Sequence, residues 1–337
     1  MNSLHNLVSV AAPTGLSRPW GIGGSDIGAI VGLSPYRSAV DVWADKVRGE
    51  TGQSADAIHL RFGQHLEPFV AKEYERVSGH QTHEHPKTIR HRTHAHLFAH
   101  VDRLVSVSGG PVLDAQGRVC TPTLLECKTA SAFSADQWGQ AWTDQVPPAY
   151  LVQCIWYTAI TGCKEAHLAV LLGNSEFRVY RINHDEELAQ GLIDAALTFW
   201  DRHVLTAVPP PATTREEASR LHPRESRGRE VEADEQTIER VKRLHRIQRI
   251  AKRLEEKADL IKDQLTVSMG DAERLCAQGK TLATWRSCAP TQRLDVARLR
   301  RDRPDLVVEF SLEAQPTRRL VLSGASTLEV NKSGVAK

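Results

Sequence analysis

The sequence predicts an α+β domain followed by a helical appendage, and three observations lead there. Up to about Pro211, segments with helical apolar stripes interleave with segments that alternate like strands. A proline run, Pro209 to Pro211, and a polar stretch to Arg229 then interrupt the pattern. Beyond it, apolar residues recur at alternating steps of three and four, the spacing of a long heptad helix. With 337 residues, 41% hydrophobic and 25% charged, the chain can bury a full core and still carry an appendage. The expected division is a flexible leader over 1–17, a compact domain over 18–211, a linker over 212–230, and an appendage over 231–337. The appendage combines the long helix with a small strand-rich tail.

The first element follows Gly21-Ile22-Gly23-Gly24-Ser25-Asp26. Glycines before Ser/Asp and an apolar stretch read as a tight loop feeding a helix, with Ser25 or Asp26 as the cap. Pro35-Tyr36 ends that helix, and a second is expected from about 39 to 48. A third runs from about 60 to 78 and stops at Gly79, with Leu66, Phe69, Val70, Tyr74 and Val77 as its stripe. Glu67 lies at the edge of the stripe. A half-buried carboxylate there needs a positive partner, or else Glu67 is an ordinary surface residue at the margin.

From Thr88 the pattern changes to strands. One is expected over 96–107, with Phe98, His100, Asp102 and Leu104 on one side. Gly109 to Gly117 supplies turns, and a return strand is expected over 119–128. Glu126 and Lys128 are two apart on it and therefore share a face. A helix over 148–161 puts Gln153 and Tyr157 one turn apart. Strands over 166–172 and 177–182 and a helix over 185–204 close the domain. In the appendage, Leu244, Ile247, Ala251, Leu254, Ala258, Ile261 and Leu265 form the seam, which calls for a second helix from the same chain or from another copy. The long helix is expected to end near Gly270, with the strand-rich tail over about 281–322.

The residues that carry chemistry are two acids and a lysine brought to neighbouring strands. Asp102, Glu126 and the main-chain carbonyl of Cys127 offer hard oxygen ligands to an ion such as Mg2+, with Mn2+ expected to substitute; Glu67 could complete the site. Such an ion acidifies a bound water and offsets charge on an attacked phosphate, and Lys128 is placed to orient that water. The combination suits phosphodiester hydrolysis, although a Glu-x-Lys on a strand can also be a salt-bridged edge. Histidines 80, 83, 85, 91, 94, 96 and 100 fit no zinc template and read as loop residues, His100 alone sharing a face with Asp102. The Gly21 to Asp26 loop is not a triphosphate-binding loop. It could still hold a single phosphate through Ser25 and backbone amides, with Arg18 assisting.

Bulk properties narrow the field further. The net charge is +2, but Lys and Arg crowd 240–253 and 298–303, where they could meet phosphates or simply be solvated. Six cysteines without CxxC spacing imply reduced thiols and no cysteine-held cluster. No apolar run reaches membrane length, and the expected location is the cytoplasm of a bacterial or phage-infected bacterial cell.

Together these segments resemble the YqaJ-like viral recombinase family, relatives of the lambda phage alkaline exonuclease. The opening motif is similar to Arg18-Pro-Trp-Gly-Ile-Gly-Gly-Ser-Asp through Leu33-Ser-Pro-Tyr36. A helix motif matches Gly63-Gln-His-Leu-Glu67-Pro68, and the core matches Ala99-His-Val-Asp102 and Glu126-Cys-Lys128-Thr129. The Q-x-x-x-Y element matches Gln153 to Tyr157, and Phe199-Trp200 with Val208-Pro209 resembles the end of the module. The resemblance implies a restriction-endonuclease-like PD-(D/E)XK core, an α/β/α sandwich, over about 18–211. It implies a metal-dependent exonuclease that digests linear double-stranded DNA from its ends, 5′ to 3′, for a single-strand-annealing recombinase. By the same likeness Asp102, Glu126 and Glu67 serve the metal, Lys128 the water, Gln153 and Tyr157 the site or the DNA, and Arg18 and Ser25 the terminal 5′ phosphate. A ring trimer is expected by family analogy, although the appendage puts the ring in question. The alternatives are an endonuclease, or a DNA-binding or assembly protein that has lost catalysis on the same fold.

Overall fold

The computed structural model describes residues 20–50, 58–289, 294–312 and 318–323. The leader over 1–17 and Arg18 lie outside the described residues. The chain divides into two compact units, Met1–Leu221 and His222–Lys337.

The first unit opens with α1 (Gly24–Ile30), whose N-cap is Gly23 and whose Asp26 accepts from the Gly23 amide at 3.1 Å. Helix α2 (Ala39–Trp43) continues as one wide turn to Arg48, and α3 covers Ile58–Ser78. Strands β1 (Gln81–Glu84), β2 (Ile89–Arg90), β3 (Phe98–Ala99), β4 (Arg103–Ser106) and β5 (Thr123–Ala130) follow. Helix α4 (Pro148–Thr161) starts with a proline in its first turn and ends on Gly162 at φ 80°, the signals that made it legible. Strands β6 (Glu165–Leu172) and β7 (Glu176–Asn183) lead to α5 (Glu186–Phe199) and then to α6 (Arg215–Leu221).

Five strands make one sheet in the order β1-β4-β5-β6-β7, while β2 and β3 pair separately. Only β5 and β6 run parallel; the other neighbours are antiparallel. A parallel pair needs a crossover, and α4 is it. Side-chain alternation sorts the sheet into two faces. Leu104, Leu124, Leu168, Val170 and Tyr180 join the larger core with residues of α1, α2, α4 and α5. Val105, Leu125, Cys127, Ala169 and Val179 pack against Val70, Ala71 and Tyr74 of α3. The unit is an α/β/α sandwich, the layering the sequence predicts.

Three expectations are corrected. The single strand expected over 96–107 is two short strands in different ladders, separated by a bend at Asp102. The phase changes at the bend, with Leu97, Ala99 and Val101 in the larger core before it but Leu104 after it, while Val105 faces α3; there the Asp102 carboxylate accepts from the Cys127 amide at 2.7 Å, which competes with regular pairing. The segment expected as linker holds α6, anchored by Glu217, which accepts from the Thr214 amide at 3.1 Å, and by the buried Leu221. The tail is less strand-rich than expected.

In the second unit, α7 (Glu235–Met269) is a single 35-residue helix capped by Asp234. Strands β8 (Arg274–Ala277) and β9 (Lys280–Thr284) form a hairpin turned at Gln278 and Gly279, both at positive φ. Two short helices, α8 (Val296–Asp302) and α9 (Pro304–Glu309), stand where the tail was read as strands. Val307, Val308 and Phe310 gave that stretch an apolar, β-branched look; Asp295 caps α8 by accepting from the Arg298 amide at 2.8 Å, and Pro304 opens α9.

Candidate active site

Glu126 and Lys128 leave β5 on the face covered by α4. The alternation that sends Leu124 into the larger core sends these two side chains the same way, while Cys127 faces α3. Glu126 is only 2% exposed. Its Oε1 accepts from Gln153 Nε2 at 2.9 Å and makes a close ion pair with Lys128 Nζ. Its Oε2 is buried and has no hydrogen-bond donor among the described residues. Gln153 also donates to the Tyr157 hydroxyl at 2.8 Å, so one amide ties Glu126 on β5 to Tyr157 one turn along α4.

Asp102 enters from the bend before β4, fixed by the Cys127 amide. Burial, and then the neighbouring Glu126 carboxylate, push its carboxyl up to about 7, against the pull of Lys128. Burial works against the charged form of Lys128, yet Glu126 and Asp102 outweigh it and hold the ammonium protonated well above its usual range. The same ammonium lies 5.7 Å from the centre of the Tyr150 ring, a cation–π contact. Burial of the Tyr150 hydroxyl pushes it up to about 12. Burial and the two carboxylates likewise keep the Tyr157 phenol neutral.

Glu67 behaves differently from its expected partners. Its carboxylate accepts from Arg103 Nη1 at 2.6 Å, and Arg103, 7% exposed, also reaches the Asp102 carbonyl at 2.6 Å and Glu84 at 3.3 Å. Burial first, and the Asp102 charge second, raise the Glu67 carboxyl despite that arginine. Among the described residues no three His, Cys, Asp or Glu side chains are arranged to hold a metal ion. The structure therefore brings Asp102, Glu126, Lys128, Gln153 and Tyr157 together and holds Glu67 beside them through Arg103.

The acid pair is short of positive charge: the half-buried Asp102 and the buried Glu126 press on one another, one lysine is paired with Glu126, and Glu126 Oε2 has no donor among the described residues. Hard oxygens in that condition suit a divalent cation that keeps several of its own waters, as Mg2+ does.

Helix α1 meets the site from the other side. A Cβ on Gly24 would lie 2.3 Å from Tyr157 Cε1 and 2.9 Å from its hydroxyl, so only glycine lets the helix come this close. Ser25, the next residue, is exposed in the same turn. Two contributors were not legible. Arg103 is a buried cation whose need appears only once Glu67 and Asp102 are seen together; its place directly after Asp102 was the available signal. Tyr150 meets Lys128 only through the crossover.

Residues 16–164 match the family model of the YqaJ-like viral recombinase domain. The match covers 149 of the 337 residues. It spans both α1 and α4, and so every side chain of the site. The chain is also 27% identical over 304 residues to the uncharacterized protein YqaJ of Bacillus subtilis (strain 168), covering 88% of this chain and 90% of the relative. Among solved structures, an alkaline exonuclease (LHK-Exo) from Laribacter hongkongensis aligns with a TM-score of 0.42 at 17% identity, over 60% of this chain and 95% of that one. A phage-related exonuclease from Haemophilus somnus 129PT aligns with a TM-score of 0.40 at 14% identity, over 56% and 96%. No helix among the described residues is long and apolar enough to cross a membrane.

Proposed function

We propose that the chain is a metal-dependent deoxyribonuclease that digests linear double-stranded DNA from its ends, 5′ to 3′, and exposes single strands for an annealing recombinase. The observation that carries the reading is the Asp102–Glu126 pair, Glu126 buried and Asp102 half-buried, with Lys128 paired to Glu126 and the other Glu126 oxygen without a donor among the described residues. A domain of the viral recombinase type supports the class of substrate.

Asp102, Glu126 and the Cys127 carbonyl would hold the ion, Mg2+ or Mn2+, with Glu67 adjusting the charge around it. Bound there, a divalent ion supplies Lewis-acid stabilisation of the phosphate and a more acidic water. The remaining work falls to the chain's own groups. Lys128 stays cationic and contributes a fixed positive charge next to the scissile phosphate. Gln153 holds Glu126 Oε1 and leaves Oε2 for the ion. Tyr157, neutral and packed on Gly24, fixes the far end of Gln153. Tyr150 limits where the Lys128 ammonium can sit. Ser25, together with Arg18, is proposed to hold the terminal 5′ phosphate and so to favour ends over internal sites.

The decisive experiment is digestion of end-labelled linear duplex, with and without a 5′ phosphate, in Mg2+, in Mn2+ and in chelator, beside a covalently closed circle. Loss of the 5′ label first, from linear DNA alone and only with metal, is expected. Equal attack on the closed circle would make the protein an endonuclease, and digestion in chelator would end the metal assignment. DNA retention without any cleavage would favour a binding or assembly role.

A further inference from the structure

Helix α7 presents a heptad seam that, among the described residues, is largely uncovered from Ile247 to Leu265. Ile247 is 51% exposed, Leu254 60%, Ile261 56% and Leu265 41%, and Met269 is the buried residue of the whole helix. Amphipathic helices are stable in water chiefly through what covers the apolar stripe. Two further features specify the cover. Charge is segregated along the helix: residues 235–253 hold seven Lys and Arg against two acids, and residues 254–269 hold four acids against two Lys. Ion pairs within the helix consume little of this, being Glu239–Lys242 and Asp259–Lys262. The seam also alternates in size, with Ala251 and Ala258 at one heptad position and Ile247, Leu254 and Ile261 at the other.

We propose that α7 pairs with α7 of a second copy of this chain in an antiparallel coiled coil. A parallel pair would set the basic half beside the basic half and face alanine with alanine, which combines repulsion with voids. Running antiparallel, the basic half of each helix lies along the acidic half of its partner. Small then meets large: Ala251 faces Ile261 of the second copy, and Leu254 faces its Ala258. Ile247 and Leu265 close the ends of the seam. The interface is continuous over the region where the described side chains are most exposed, and it is independent of the nuclease reading.

Sedimentation of the full chain across concentration tests the association, with Leu254→Lys plus Ile261→Lys as the seam variant. The wild type is expected to form dimers, and the variant to associate at least about tenfold more weakly with unchanged helical circular dichroism. Orientation is read by cross-linking in a background with Cys120, Cys276 and Cys288, all exposed, changed to serine. Chains carrying Gln248→Cys are mixed with chains carrying Lys262→Cys and oxidised. Antiparallel pairing gives the mixed disulfide; in a parallel pair the two sites stand about 21 Å apart along the axis, and the mixed product would be missing. A monomer at every concentration overturns the proposal, as does a dimer indifferent to the seam variant. So does a monomer whose basic half instead retains duplex DNA in a manner lost with Arg246→Ser and Arg249→Ser.

Discussion

At the scale of single residues, Glu126 organises the site by treating its two oxygens differently. Oε1 is taken up by Lys128 and Gln153, and Oε2 is buried with no donor among the described residues. A divalent ion that satisfies it stabilises the folded chain, because it binds the native arrangement and not the unfolded one. Mg2+ or Mn2+ is therefore expected to raise the melting temperature of the wild type, and Glu126→Gln to remove the rise. An unchanged rise in that variant would move the ion elsewhere. Asp102 adds a pH dependence. With its carboxyl near 7, a proton competes with the metal below that value. Affinity is expected to fall as pH drops from 8 to 6, approaching about tenfold per unit at the acid end, which calorimetric titration reads together with the released proton. Lys128→Ala is expected to slow cleavage by at least about a hundredfold and, by leaving the buried Glu126 carboxylate without its cation, to lower the melting temperature in the absence of metal. Near-wild-type digestion by that variant would remove Lys128 from the mechanism.

At the scale of elements, two contacts between helix and sheet invite measurement. The first is α1 on α4. Gly24→Ala forces a methyl into the Tyr157 ring, so either the helix backs away or the ring turns and frees Gln153 from Glu126. A destabilisation of about 1–3 kcal/mol is expected, read by denaturant unfolding, and accompanied by lost activity. The second is α3 on β6. Tyr74 Oη lies 2.6 Å from His167 Nδ1, and burial pushes this histidine down to about 4, against the pull of Glu165. The unfolded chain takes up a proton on His167 as pH falls through 6.5, and the folded chain does not until near 4. Stability from this group is thus complete above 6.5 and declines between the two values, by something on the order of 2–3 kcal/mol. Unfolding at pH 7 and pH 5 should show the decline, and His167→Gln should flatten it; equal losses in both proteins would assign the acid sensitivity elsewhere.

At the scale of the whole molecule, legibility followed how local each determinant is. Helices α3, α4, α5 and α7, and strands β5, β6 and β7, announce themselves through stripes, alternation and caps that lie within one segment. Glu126, Lys128, Gln153 and Tyr157 were readable for the same reason, each pair being set by its own strand or helix period. The bend at Asp102 was not, since its cause is an amide 25 residues away. The tail was misread where Val307, Val308 and Phe310 imitate a strand, while the capping Asp295 and the opening Pro304 favour helix. Arg103 and Tyr150 escaped because their roles arise only when distant segments meet. The domain match over 16–164 and the likeness to the Bacillus protein over 88% of the chain place the site in the shared part and carry the resemblance through α7 as well.

The parallel pairing of β5 with β6 has a consequence for synthesis. Glu126 and Lys128 leave the ribosome well before the crossover that supplies Gln153 and Tyr157, and no neighbouring hairpin can substitute for that delayed segment. A nascent chain halted before α4 would have Asp102, Glu126 and Lys128 on the β4–β5 pair but neither Gln153 nor Tyr157 to hold Glu126. The candidate site thus stays incomplete during synthesis until the central ladder has closed.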